Sequence, residues 1–158
     1  MLALVTPSAA YHLGETWRVS YGTFTVHGTY SQRACSAQAN LRSVTGANVS
    51  FSIYWRPGRS LHLITTHPRA AQVQGAPNMQ FRFPDGQALA FGTTKSGNQL
   101  QTNIGFGGAA QKFYRMIEAN RSVRIELPGI NDVVDVSLAE RAAVVRAMFN
   151  CKDEFLHM

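Results

Sequence analysis

The alternation of residues from Val49 to Trp55 constrains this chain more than any other segment. Val49, Phe51, Ile53 and Trp55 share one parity while Ser50, Ser52 and Tyr54 take the other, so an extended strand here turns one face to a core and the other to solvent. The same two-residue period returns at Trp17, Val19 and Tyr21, and again at Val123, Ile125 and Leu127. Across Gly22 the apolar phase moves to Phe24 and Val26, which suggests a bulge or bend at the glycine.

Turn chemistry separates these strands. A weaker strand from Arg33 to Leu41 carries Cys35, and residues 45–48 turn it into the Val49 strand. Pro57 and Gly58 fit a tight turn before Leu61 and Leu63, Pro84, Asp85 and Gly86 one between Phe81, Phe83 and Leu89, Phe91, and Ser96, Gly97 and Asn98 one toward Leu100 and Ile104. Three consecutive reversals indicate an antiparallel meander or sandwich. Helical spacing takes over at Ala110, Phe113 and Ile117, and after a strand ending at Val136 a capping box of Ser137 and Glu140 opens a closing helix with Leu138, Ala142, Val145 and Phe149 as its stripe, ending at Cys151. The fold class that follows is mainly β (α+β), an antiparallel β-sandwich or meander with two short helices, one of them C-terminal.

A chain of 158 residues with 45% hydrophobic content can bury one core, and residues 11–158 read as a single β-rich domain. No apolar run approaches the roughly 20 residues of a membrane-spanning helix, so no membrane span is expected. Residues 1–10, MLALVTPSAA, read either as a signal-peptide remnant lacking its basic region or as a flexible start. Two cysteines 116 positions apart cannot form a zinc site alone. They are either two buried thiols or a disulfide between Cys35 and Cys151, and the signal-like start, with one cysteine on a strand and the other just beyond an amphipathic helix that must pack on that sheet, favours the disulfide. Closing so long a loop is worth roughly 4 to 5 kcal/mol in the chain-entropy model.

The net charge of +6 is unevenly spread: up to Arg82 there are seven arginines and one acid, Glu15, and from Phe83 onward eight bases face eight acids. Arginine suits bidentate contact with carboxylate or phosphate. Arg18, Arg33, Arg42, Arg56, Arg59 and Arg82 are therefore candidates for a surface that meets an anionic polymer or a protein partner, with solubility of the outer sheet faces as the plainer role.

Chemical motifs are weak. Gly105 to Ala110 fits G-x-G-x-x-A, with Glu126 at the distance of a ribose-binding acid, but a dinucleotide fingerprint needs a parallel sheet and the preceding segment reads as the return arm of a hairpin. Gly92 to Gly97 lacks P-loop spacing and reads as a turn. His62 and His67 alternate faces, as do Asp132 and Asp135, so no shared metal is expected and the aspartates read as solvated strand acids. Ser60 near His62 is no nucleophile elbow, and Cys35 could be a thiolate only if unpaired. Trp17, Tyr21, Phe51 and Trp55 could stack on bases or sugars, but their parity favours core packing. Neither a cofactor nor a specific nucleic acid is expected.

A Trp-led first strand (Trp17, Val19), Cys35 and Gln38 in a C-x-x-Q pattern, and a strand entering an Ala-rich helix (Val136, Ser137, Leu138, Ala142, Ala143) that closes on Cys151 together resemble the invasion-associated locus B family of small exported proteins. The chain differs at Tyr21 and Gly22, where that family has a cysteine, and at Glu140, where it has a glycine. The resemblance implies a secreted β-rich domain of a Gram-negative bacterium, periplasmic or extracellular, with no established catalytic activity. A non-enzymatic binding protein is the expected function; a periplasmic immunity or inhibitor protein, and a hydrolase with residues dispersed over loops, are the alternatives.

Overall fold

The computed structural model describes residues 16–57, 60–105 and 107–156. Strands β1 (Thr16–Tyr21), β2 (Phe24–Thr29), β3 (Ala34–Arg42), β4 (Asn48–Trp55) and β5 (Leu61–Thr66) form a meander. A 3-10 turn, Ala70–Gln72, then leads to β6 (Met79–Arg82) and β7 (Ala88–Phe91), followed by β8 (Thr94–Ser96), β9 (Gln99–Gly105), α1 (Gly108–Ala119), β10 (Ser122–Leu127), β11 (Asp132–Ser137) and α2 (Arg141–Leu156). Seven strands make one sheet in the order β1-β2-β3-β4-β5-β9-β8, and four make the second in the order β11-β10-β6-β7. Neighbouring strands are antiparallel in both. The antiparallel sandwich with a C-terminal helix read from the sequence is thus the observed fold.

Parity does what the sequence demands of it. Val49, Phe51, Ile53 and Trp55 are all buried, and the Phe51 ring lies 5.7 Å from that of Phe81 on the facing sheet. Phe81 also stands 5.8 Å from Phe91 and 5.5 Å from Phe113 of α1, so one ring joins both sheets and a helix. Truncating such a phenyl group costs about 3–5 kcal/mol. The first sheet is wider than the second, and α2 packs on β2 and β3. Cys151 of α2 is bonded to Cys35 of β3 with Cα atoms 6.1 Å apart, inside the reach of a disulfide. Past that bond, Tyr30 meets Phe155 edge-on at 5.1 Å, and Tyr30 also donates to Glu154.

Several local expectations need correction. The phase change at Gly22 is a two-residue hairpin turn and not a bulge: Tyr21 pairs directly with Phe24, so both side chains share a face, and Gly22 supplies the turn's positive φ of 59°. The reversal at Gly97 joins β8 to β9, not β7 to β9, because the chain crosses back to the first sheet after Phe91. Gly92–Gly97 is therefore half strand and not a simple turn. Ser137 is still strand, its hydroxyl accepting from the Ala139 N–H at 3.4 Å, and α2 begins only at Arg141. The helix stripe is Val144, Val145, Met148, Cys151 and Phe155, while Ala142 and Phe149 are exposed. Cys151 lies within α2, which continues to Leu156. Residues 1–10, Gly58 and Phe106 lie outside the described residues.

Candidate binding site

Trp55 closes β4, and its cross-strand partner is Cys35. The disulfide therefore brings α2 directly against the end of β4. Phe149 and Lys152 lie three apart and so on one side of the helix, Lys152 reaches over Trp55, and α1 contributes Ala110, Gln111 and Tyr114. With Leu61 and Gly105 these groups line a cleft of about 320 Å³. The Lys152 Nζ stands 5.6 Å from the Trp55 ring centroid and 5.2 Å from that of Phe149, within cation–π range. Tyr114 stacks obliquely on Phe149 at 5.6 Å, and burial pushes its hydroxyl up to about 12, so it stays protonated at neutral pH. Trp55 is only 3% exposed, yet its Nε1 has no partner among the described residues. The cleft has aromatic walls and one cation, and one wall residue, Trp55, carries a buried unpartnered donor.

A second cluster looks more like chemistry and is closed to it. Asp132 is not a solvated strand acid: its side chain and that of His67 are both 0% exposed, and His67 Nε2 meets Asp132 Oδ2 at 2.8 Å. The reason is parity, since Asp132 shares the inward face of β11 with Val134 and Val136. His67 Nδ1 accepts the Arg69 backbone N–H at 3.1 Å, so Nε2 carries the proton and donates to the carboxylate. Asp132 also accepts from the Thr45 hydroxyl at 2.7 Å, the Val133 N–H at 2.8 Å and Arg69 at 3.3 Å. Burial works against its charge, but hydrogen bonds from Ser43, Thr45, His67 and Val133 outweigh it and hold the carboxyl well below the usual carboxylate range. Both imidazole nitrogens are engaged, so His67 has no site left to activate a nucleophile. The cluster pins the β3–β4 turn and the 3-10 turn to β11. Asp135 does face out, paired with Arg124 at 2.8 Å.

The candidate arginines are not brought together. Arg18 lies on the outer face of the first sheet and donates from Nε to His27 Nδ1 at 3.2 Å; burial, then the Arg18 charge, lowers the His27 pKa. Arg82 faces out from the second sheet, paired with Glu126 at 2.8 Å. Arg33, at the β2–β3 turn, donates to the Phe155 carbonyl, and Arg42, at the opposite end of β3, donates to the Gly46 carbonyl at 3.2 Å. Those two ends are roughly 27 Å apart at the usual rise of a strand. Arg56 is exposed beside the cleft, and Arg59 lies outside the described residues. The described five thus occupy both outer faces and both ends, and form no common basic surface.

Of the aromatics singled out, Phe51 and Trp55 are core residues, Tyr21 is half-buried, and the side chain of Trp17 lies outside the description. β9 is antiparallel to both β5 and β8, so the segment before Gly107 is not the parallel strand of a dinucleotide fold. Sequence reasoning missed Gln111, Tyr114, Phe149 and Lys152 as site residues, because the cleft exists only once α1 and α2 meet. The available signal was Lys152 beside a paired cysteine. No family model, curated protein or solved structure matches this chain. Among the described residues no helix is long and apolar enough to cross a membrane.

Proposed function

We propose that the chain is a periplasmic or extracellular binding protein without catalytic activity, and that the cleft beside the disulfide holds its ligand. The observation that carries this reading is the cleft itself. Two helices and the end of β4 converge on a concave apolar site lined by a cation, Lys152, and by Trp55, whose buried N–H has no partner among the described residues, the usual make-up of a ligand pocket. The disulfide supports an oxidising compartment. The engagement of both His67 nitrogens supports binding over hydrolysis, since the buried His–Asp pair serves the fold. The resemblance to the invasion-associated locus B family, carried by Trp17, Cys35, Gln38 and the segment into Cys151, supports export by the same route.

The test uses a neutral apolar fluorophore, N-phenyl-1-naphthylamine, titrated into the oxidised protein. Saturable enhancement with one site per chain, weakened several-fold in Phe149→Ala, is expected. Absence of enhancement in the intact protein overturns the cleft as a binding site. Recovery of the protein from the cytoplasmic fraction of its source cells, with both thiols free, overturns the compartment.

A further inference from the structure

We infer that the ligand of this cleft is a small monocarboxylic acid bearing one aromatic or branched apolar group, its carboxylate held between the Lys152 ammonium and the Trp55 indole N–H. The inference rests on the cleft being a binding site and adds the class of ligand.

Two independent observations converge on an anion. Among the described residues, Trp55 Nε1 and Thr65 Oγ1 are the buried side-chain polar atoms without a partner. Thr65 faces the core from β5, whereas Trp55 lines the cleft. A buried donor left unpaired is costly, and an acceptor brought by a ligand relieves that cost. The second observation is Lys152. It makes no ion pair with a carboxylate among the described residues, although Glu154 two positions on is engaged by Tyr30. Instead the Lys152 ammonium rests over the Trp55 ring. A carboxylate has two oxygens, so one group can accept from the ammonium and from the indole of the same stacked pair. The exposed Arg56, next in sequence to Trp55, adds positive potential at the entrance.

The rest of the ligand is bounded by the walls. Leu61, Tyr114 and Phe149 offer apolar and aromatic surface, which suits a ring or a branched alkyl group. A volume of about 320 Å³ is at the small end for ligand sites, which suits a small molecule. A single ammonium balances a single negative charge, and a dianion such as a phosphate monoester would bury charge without a counterpart.

Isothermal titration of the oxidised protein with phenylacetate and with its neutral isostere phenylacetamide tests the inference. Phenylacetate should bind at least about tenfold more tightly than the amide, since hydrogen bonds to a charged acceptor are the stronger ones. Lys152→Met, which keeps the aliphatic stem of a half-exposed side chain, should abolish that preference. Trp55→Phe keeps an aromatic ring, removes the N–H and should weaken phenylacetate several-fold more than phenylacetamide. Equal affinity of acid and amide overturns the carboxylate assignment while leaving the cleft a binding site. Binding of neither, with N-phenyl-1-naphthylamine still bound, also overturns the assignment, and loss of all three overturns the cleft reading as well.

Discussion

The sandwich interior and the helix corner treat polar groups in opposite ways. Around His67, both ring nitrogens and both oxygens of Asp132 are bonded, and neither side chain reaches solvent. In the corner between β4, α1 and α2, a buried indole N–H has no partner among the described residues and a lysine rests over two aromatic rings. A fully satisfied buried network rigidifies what it touches and leaves nothing for a ligand. An unsatisfied one gives up stability and keeps bonding capacity in reserve. The charged residues most suggestive of catalysis therefore hold the fold together, and the proposed binding falls to a site of plain appearance.

The largest expected effect breaks the corner and spares the interior. Cys151→Ser should lower stability by about 4 kcal/mol, as loss of a 116-residue loop closure predicts, measured by urea denaturation. Because Cys35 is the cross-strand neighbour of Trp55, and Phe149 and Lys152 flank Cys151, the same change should also remove probe binding in the cleft. The buried His67 resonance should keep its native shift in the folded mutant. A stability loss below about 1 kcal/mol would mean that packing of Met148 and Phe155 alone holds α2 in place.

Asp132→Asn attacks the interior instead and should cost about 3 kcal/mol at neutral pH, since several buried donors lose their charged acceptor. Cleft binding by the folded fraction should not change. The native carboxyl is held below its ordinary value of 3.8, so the unfolded chain takes up a proton first as the pH falls. The stability from Asp132 is thus complete above about pH 4 and declines below it. The gap between the urea midpoints of wild type and Asp132→Asn should be narrower at about pH 3 than at about pH 7. A gap that is the same at both would show that shape, and not charge, makes the cluster stable.

Strand alternation made most of the sandwich legible, because the period of two is a local property and Val49, Phe51, Ile53 and Trp55 obey it to the last residue. The disulfide was legible from the scarcity of cysteines. Sheet membership was less so: nothing in Ala88–Phe91 and Thr94–Ser96 says that they belong to different sheets, since crossing depends on what the partner strands bury. Asp132 misled because aspartate is rarely buried unpaired and its partner is 65 residues away. Its parity with Val134 and Val136 was the clue. The cleft was illegible because its walls come from β4, α1 and α2, and because Phe149 fits the spacing of a core stripe while standing 42% exposed.

That exposure makes Phe149 the residue that separates the two regions with the smallest cost. Among the described residues its ring and cation contacts are Tyr114 at 5.6 Å and the Lys152 ammonium at 5.2 Å, both members of the cleft, and no ring of the Phe51–Phe81–Phe113 cluster. Phe149→Ala should therefore change stability by less than about 1 kcal/mol, as expected at a partly exposed position, while weakening the cleft's hold on an apolar probe several-fold. An interior phenylalanine gives the reverse pattern: Phe81→Ala should cost about 3 kcal/mol or more and leave probe affinity of the folded protein intact. If Phe149→Ala instead destabilises by more than about 2 kcal/mol, the side chain belongs to the core in solution, the corner is as closed as the interior, and the contrast between the two regions fails.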